Sequence, residues 1–275
     1  MLDRLDLGVE RGRVYALLGR NGVGKTTFLR ILVGLLRADS GSCSVLGLDP
    51  RTRSTEIKSK TGFVSEGLEF YSWMRVSELL DFAGRFHSEW DTSYVESLVK
   101  KLDVPVRSKV EALSRGVRGK LALILALGHH PELLLLDEPL AGLDSVVRRQ
   151  FLTETVEILT SQKCTILFVT HLIDEVEKIA DAVGILHGGR LIESGAVDRL
   201  KGRYSHLRAS FPQCPPAEVN LLGRAVTRLG NDVSLVVENP SHRIEERLRG
   251  LGAHQVETTG LGLDELFCVL TDGPE

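Results

Sequence analysis

The stretch LLGRNGVGKTTFLRIL, residues 17 to 32, sets a glycine-rich turn between an apolar run and a helix-like one. Upstream, RVYALLG (13–19) is short, continuous and apolar, as a buried strand should be. Downstream, Phe28, Leu29, Leu32, Leu35 and Leu36 recur at helical spacing. Gly19, Gly22, Gly24, Lys25 and Thr26 fit the spacing G-x-x-x-x-G-K-[ST]. In that pattern backbone N–H groups cradle phosphates, the lysine reaches the β and γ oxygens and the hydroxyl holds Mg²⁺. The glycines are needed because a side chain would keep the backbone away from the phosphates. Strand, loop and helix together predict a nucleoside triphosphate site.

Working outward, TGFVS near 61–65 reads as a second strand, and from about 72 to 127 the texture becomes helical, with VSELLDFAGRF and SYVESLVKKL amphipathic. This region is expected to form an inserted helical arm. LLLL (133–136) and TILFV (165–169) read as parallel strands covered on both faces, with a helix from roughly Ser145 to Leu159 between them. VGILHGGRLIES reads as a hairpin turning at Gly188-Gly189. Beyond about 202, the proline-containing FPQCPP breaks the pattern. A strand near 233–237 and helices near 241–250 and 263–270 then predict a small second domain. The expected fold is α/β, a P-loop NTPase parallel-sheet core over 1–202 with its helical arm, followed by a C-terminal α/β appendage over 203–275.

Composition narrows the function. A net charge of −3 leaves no basic field to hold nucleic acid, so nucleic acid is not expected as a partner. Four scattered cysteines without a C-x-x-C pair argue against a zinc site or a disulfide framework and fit a reducing cytoplasm. The longest apolar runs are far shorter than a bilayer span, so a membrane role would come through a partner.

LLLLDEP places Asp137 and Glu138 at the carboxyl edge of a buried strand, where open α/β sheets bind ligands. Beside a phosphate loop, Asp137 is expected to hold Mg²⁺ and Glu138 to polarise the attacking water, because phosphoryl transfer depends mainly on positioning and charge stabilisation. TILFVTH ends in His171 near the same edge, within reach of the γ-phosphate or the water; a lone strand-end histidine is as readily structural. Ser114, in EALSRGVRGKLALILALG, is a helix N-cap by position, and the free N–H groups of such a helix start also suit an anion.

The series GRNGVGKTT, LSRGV, LLLLDEPLAGLD and FVTH resembles the nucleotide-binding subunit of ATP-binding cassette transporters over roughly 1–202, with 23 positions from Ser114 to Asp137 and 33 from Glu138 to His171. The resemblance implies ATP held by Gly19, Asn21, Gly22, Gly24, Lys25, Thr26 and Thr27, and Mg²⁺ near Thr26, Asp137 and Glu66. Glu138 and His171 would be catalytic. It also implies a head-to-tail pair of subunits, identical or different, in which Ser114 and Gly116 cap the nucleotide on the other subunit and Asp144 crosses the interface. The partner it implies is a transmembrane permease on a separate chain, with the subunit peripheral on the inner face of the cell membrane.

The departures are specific. Arg115 and Val117 stand at the third and fifth places of a signature usually written L-S-G-G-Q, and Glu66 stands where the family has a glutamine. FHSEWD and the closing GLGLDELFCVLT are similar to exporter-type subunits. The family also supplies an extra strand and an adenine-stacking aromatic upstream of the stretch that opens this chain. Without them ATP is expected to bind more weakly, by up to the 1–3 kcal/mol of about one base–aromatic stack. Tyr15, in the strand before the loop, is expected in the core. Phe70, Tyr71 and Trp73 fit either a groove for a partner's cytoplasmic helix or local packing between arm and sheet. A cassette ATPase without a membrane partner, and an ATP-binding regulator with little turnover, are the alternative functions.

Overall fold

The computed structural model describes residues 2–271 except 68, 142, 144–147, 150, 154, 156, 158–163 and 241, and the side chain of Glu175 is also outside it. Asp144 and most of the helix expected from Ser145 to Leu159 therefore lie outside the described residues. The chain divides into two compact units, Met1–Leu191 and Ile192–Glu275.

The first unit is built on strands whose sequences are apolar without alternation. These are β1 (Val14–Gly19), β2 (Thr61–Val64), β3 (Leu133–Asp137), β4 (Thr165–Thr170) and β5 (Ala182–His187), in the order β2-β3-β4-β1-β5; β6 (Arg190–Ala196), next in the sheet, begins at the end of this unit and continues into the second. β3 and β4 are buried along their whole lengths, as strands covered on both faces must be. The strand pairs from β2 through to β5 are parallel. Gly188 and Gly189, both at positive φ, make the two-residue link from β5 to β6. Helix α1 (Lys25–Leu32) lays Leu29 and Leu32 into a core shared with Leu17, Leu135, Leu167 and Tyr15. Tyr15 is 4% exposed and is a core residue, as expected.

The register matters most for function. Leu18 lies level with Thr170, and Asp137 level with Val169, so β1, β3 and β4 end together. Because β4 lies between β1 and β3, chain segments leaving the sheet there open a crevice at the carboxyl edge.

A short α2 (Ser54–Ser59) precedes β2, and the arm follows it as α3 (Val76–Gly84), α4 (Thr92–Lys101) and α5 (Arg115–Leu127). Each start has a local cause. The Arg75 N–H donates to Glu78, Asp91 accepts from the Tyr94 N–H, and Ser114 accepts from the Val117 N–H at 3.3 Å. α5 packs against β2 at Gly62, where a Cβ would stand 2.3 Å from the Ala126 carbonyl oxygen. Trp90 wedges between Gly84 and Gly128, whose added Cβ atoms would come within 2.8 and 2.5 Å of its ring. After β4, α6 (Ile173–Val176) is a single turn.

The second unit departs from expectation. The predicted boundary near 202 falls inside α7 (Val197–Arg203), which runs directly into β7 (Tyr204–Ser210). FPQCPP is thus internal to this unit and does not mark its start. The expected strand is β9 (Asp232–Glu238), and the expected helices are α8 (His242–Gly250) and α9 (Leu263–Thr271). β7, β8 (Val226–Leu229) and β10 (Gln255–Gly260) complete an antiparallel sheet of order β10-β7-β9-β8 over a core of Leu207, Phe211, Val233, Leu235 and Leu248. β8 and β10 are mostly exposed, and β7 buries only Tyr204, Leu207 and Ala209 among polar residues, so none gives an apolar run to read.

Candidate active site

The phosphate loop follows β1 because Gly19 can bring backbone close to its neighbours: a Cβ there would lie 2.8 Å from Val23 Cγ1 and 2.9 Å from the Leu186 oxygen. Gly24, at φ 112°, is the cap of α1 and offers no side chain to its first N–H groups. Those groups and the helix dipole suit an anion. Lys25 is 6% exposed, and its ammonium donates to the carbonyls of Gly19 at 2.8 Å and Arg20 at 3.2 Å. Asn21 stands exposed at the mouth and Thr27 is half-buried on α1.

From the neighbouring strand end, Asp137 accepts from the Thr26 hydroxyl at 3.1 Å. Its second oxygen, Oδ2, is buried without a hydrogen-bond partner among the described residues. Burial pushes the Asp137 carboxyl above its ordinary range; the charges of Glu66 and Glu138 push the same way, against the Thr26 hydrogen bond and Lys25. An orphaned carboxylate oxygen beside a hydroxyl is a hard-oxygen donor set, and a small divalent cation fits it. Glu66 itself is exposed in the turn after β2 and reaches this point through its charge.

Glu138 is 7% exposed and holds φ +47°, which a non-glycine residue adopts at a cost of about 1–3 kcal/mol. Its surroundings over-determine it. The Glu138 N–H donates to Val169, while Oε2 accepts from the Thr170 hydroxyl at 3.0 Å and lies 3.0 Å from His171 Nδ1. Oε1 lies 3.3 Å from Lys25 Nζ, an ion-pair distance without hydrogen-bond geometry. His171 is part-exposed and so can contact both the carboxylate and a ligand. Thr170 was not anticipated from sequence; its only signal is its place one residue before His171 at a strand end.

Lys25, Thr26, Asp137, Glu138 and His171, predicted from three separate stretches, thus meet at one sheet edge. Ser114 and Gly116 stand apart, at the start of α5, and among the described residues no hydrogen bond or ion pair joins them to the phosphate loop. Ser114 is an N-cap, as expected. Phe70 lines a groove of about 400 Å³ between β2 and the arm. Tyr71 and Trp73 are 53% and 63% exposed, with Tyr71 edge-on to Phe82 at 5.8 Å.

A strand that ends in a lysine-bearing glycine loop, level with two buried carboxylates, makes this first unit a P-loop nucleoside triphosphatase. A profile described as ABC transporter matches residues 2–141. The chain is 30% identical over 211 residues to the ABC transporter ATP-binding protein YtrB of Bacillus subtilis (strain 168), covering 77% of this chain and 72% of that one. It is 32% identical over 204 residues to the bacitracin transport ATP-binding protein BcrA of Bacillus licheniformis, covering 74% and 67%. CbiO1 from Clostridium perfringens, part of the transporter complex CbiONQ, has a similar fold with a TM-score of 0.64 and 27% identity over 72% of this chain and 83% of that one. The chain belongs to the ABC transporter family. It is an ATP-binding subunit that binds and hydrolyses ATP. No helix among the described residues is long and apolar enough to cross a membrane.

Proposed function

We propose that this subunit works as a head-to-tail dimer, of identical or different cassettes, that drives export through a separate transmembrane permease, on the inner face of the cell membrane. The gathering of Lys25, Thr26, Asp137, Glu138 and His171 at one edge carries the reading. Ser114 and Gly116, remote from their own phosphate loop, are suited to the nucleotide of the opposite subunit, with Asp144 at the interface. The exporter direction rests on likeness to relatives such as the bacitracin transport protein.

In this mechanism Lys25 exchanges the carbonyls of Gly19 and Arg20 for phosphate oxygens, and the N–H groups of Gly22 to Thr27 surround the phosphates. Thr26 and Asp137 would hold Mg²⁺, which supplies charge neutralisation at the β and γ oxygens. Release of Lys25 leaves Glu138 as a buried carboxylate, still fixed by Thr170 and free on Oε1 to orient a water. His171 bridges Glu138 to the ligand side. Closure of the dimer brings the Ser114 helix start onto the partner's nucleotide and hydrolysis reopens it. The groove at Phe70, Tyr71 and Trp73 receives a cytoplasmic helix of the permease.

The test is ATP hydrolysis at several protein concentrations, with Glu138→Gln as control. Turnover that rises faster than linearly with concentration and vanishes in the variant is expected. Strictly linear turnover would overturn the dimer.

A further inference from the structure

Three buried polar atoms belong to residues lining the groove between β2 and the arm and have no hydrogen bond among the described residues: Thr61 Oγ1 and both ring nitrogens of His129. Both residues are more than nine-tenths buried, at 6% and 4% exposure. The Thr61 backbone approaches the His129 ring and favours its protonated form, but outside hydrogen-bond geometry. Most of the remaining wall is apolar, including Phe63, Leu79, Phe82 and Ala126. Unmet polar atoms in such a wall cost free energy until something pairs with them.

We infer that Thr61 and His129 form a recognition point for an uncharged amide or hydroxyl side chain, carried on the apolar face of the permease helix that docks in this groove. This rests on the docking reading above. The choice of chemistry follows from donors and acceptors. A neutral imidazole presents one of each and a threonine hydroxyl can act as either, so an amide, which also has both, satisfies the set. A carboxylate accepts only, and an ammonium donates only. Burial holds the His129 pKa down to about 4, so no imidazolium is present at neutral pH to meet a carboxylate. Glu69, also on the groove, would repel one. The His87 ring stacks on His129 at 4.0 Å, and Phe86 beside it is 72% exposed, so these two are the rim an entering side chain displaces.

The test uses the full chain and four synthetic amphipathic helices identical except at one central apolar-face position, which is Gln, Leu, Glu or Lys. Affinity is read by fluorescence anisotropy on the wild type and on Thr61→Val, a near-isosteric change that keeps β2 intact, and His129→Phe. The Gln peptide should bind about tenfold tighter than the other three, with the preference falling below about threefold in either variant. Equal binding of the Gln and Leu peptides, preference for Glu or Lys, or a Gln preference that survives both variants would overturn the recognition point. Ala83→Arg, which fills the groove, separates this from failure of docking. Equal binding lost in Ala83→Arg removes only the recognition point; no binding, or binding indifferent to Ala83→Arg, removes the docking reading with it.

Discussion

The Thr170 hydroxyl donates to Oε2 of Glu138 across 3.0 Å, with both residues buried. A hydrogen bond to a charged group contributes about 1.5–3 kcal/mol. Thr170→Val keeps the shape of β4 and removes only this donor. Turnover should fall about 10- to 100-fold while ATP affinity, measured by equilibrium binding, stays within about twofold. A variant that binds ATP weakly but turns over normally would show that Thr170 does not position the carboxylate.

Lys25 and Glu138 face each other at 3.3 Å. Glu138→Gln removes the charge that Lys25 must leave, so ATP binding should be retained or tightened while turnover drops by more than about 100-fold. Parallel binding and single-turnover measurements check this. Loss of both together would mean a folding defect.

Burial disfavours the charged form of Asp137 and raises its carboxyl above the ordinary range. Asp137→Asn should therefore keep or raise the melting temperature while weakening Mg²⁺-dependent ATP binding. Calorimetry with and without Mg²⁺ reads both quantities.

His129 makes stability pH-dependent. Its folded pKa of about 4 lies below the unfolded value, so the unfolded chain binds more protons between about 4 and 6.5, and stability falls as pH drops through that window. The loss amounts to about 3 kcal/mol. Denaturant midpoints at neutral and acid pH should converge in His129→Gln.

Trp90 leaves no room at Gly128, where a Cβ would sit 2.5 Å from its ring. Gly128→Ala should destabilise the protein by about 1–3 kcal/mol. In a double-mutant cycle with Trp90→Ala the two effects should be strongly non-additive; simple additivity would show that the ring yields freely.

What could be read from sequence was what is local. The phosphate loop is one contiguous stretch whose glycines have a backbone reason, and Asp137 and Glu138 follow a run of leucines that can only be a buried strand. Thr170 acts on a residue 32 positions away, so only β3–β4 pairing brings it to its partner. His129 looks like any residue after a helix until β2 and His87 are laid against it. In the second unit, β7 and β10 alternate polar residues such as His206, Arg208, Glu257 and Thr259 with a thin apolar face, and their pairing is set by β9 and by each other.

The level ending of β1, β3 and β4 makes the sheet a ruler with the catalytic groups at one mark. A residue inserted in or removed from β4 would turn Thr170 to the opposite face and carry His171 off the mark, because side chains alternate with a period of two. Of the arm's helices, α5 is packed against β2 at Gly62, whereas α3 and α4 are laid on α5 and not on the strands that end at that mark. α3 and α4 can therefore change in size without moving the catalytic groups, and a cassette of this kind can be refitted to a different membrane partner without recalibrating its chemistry.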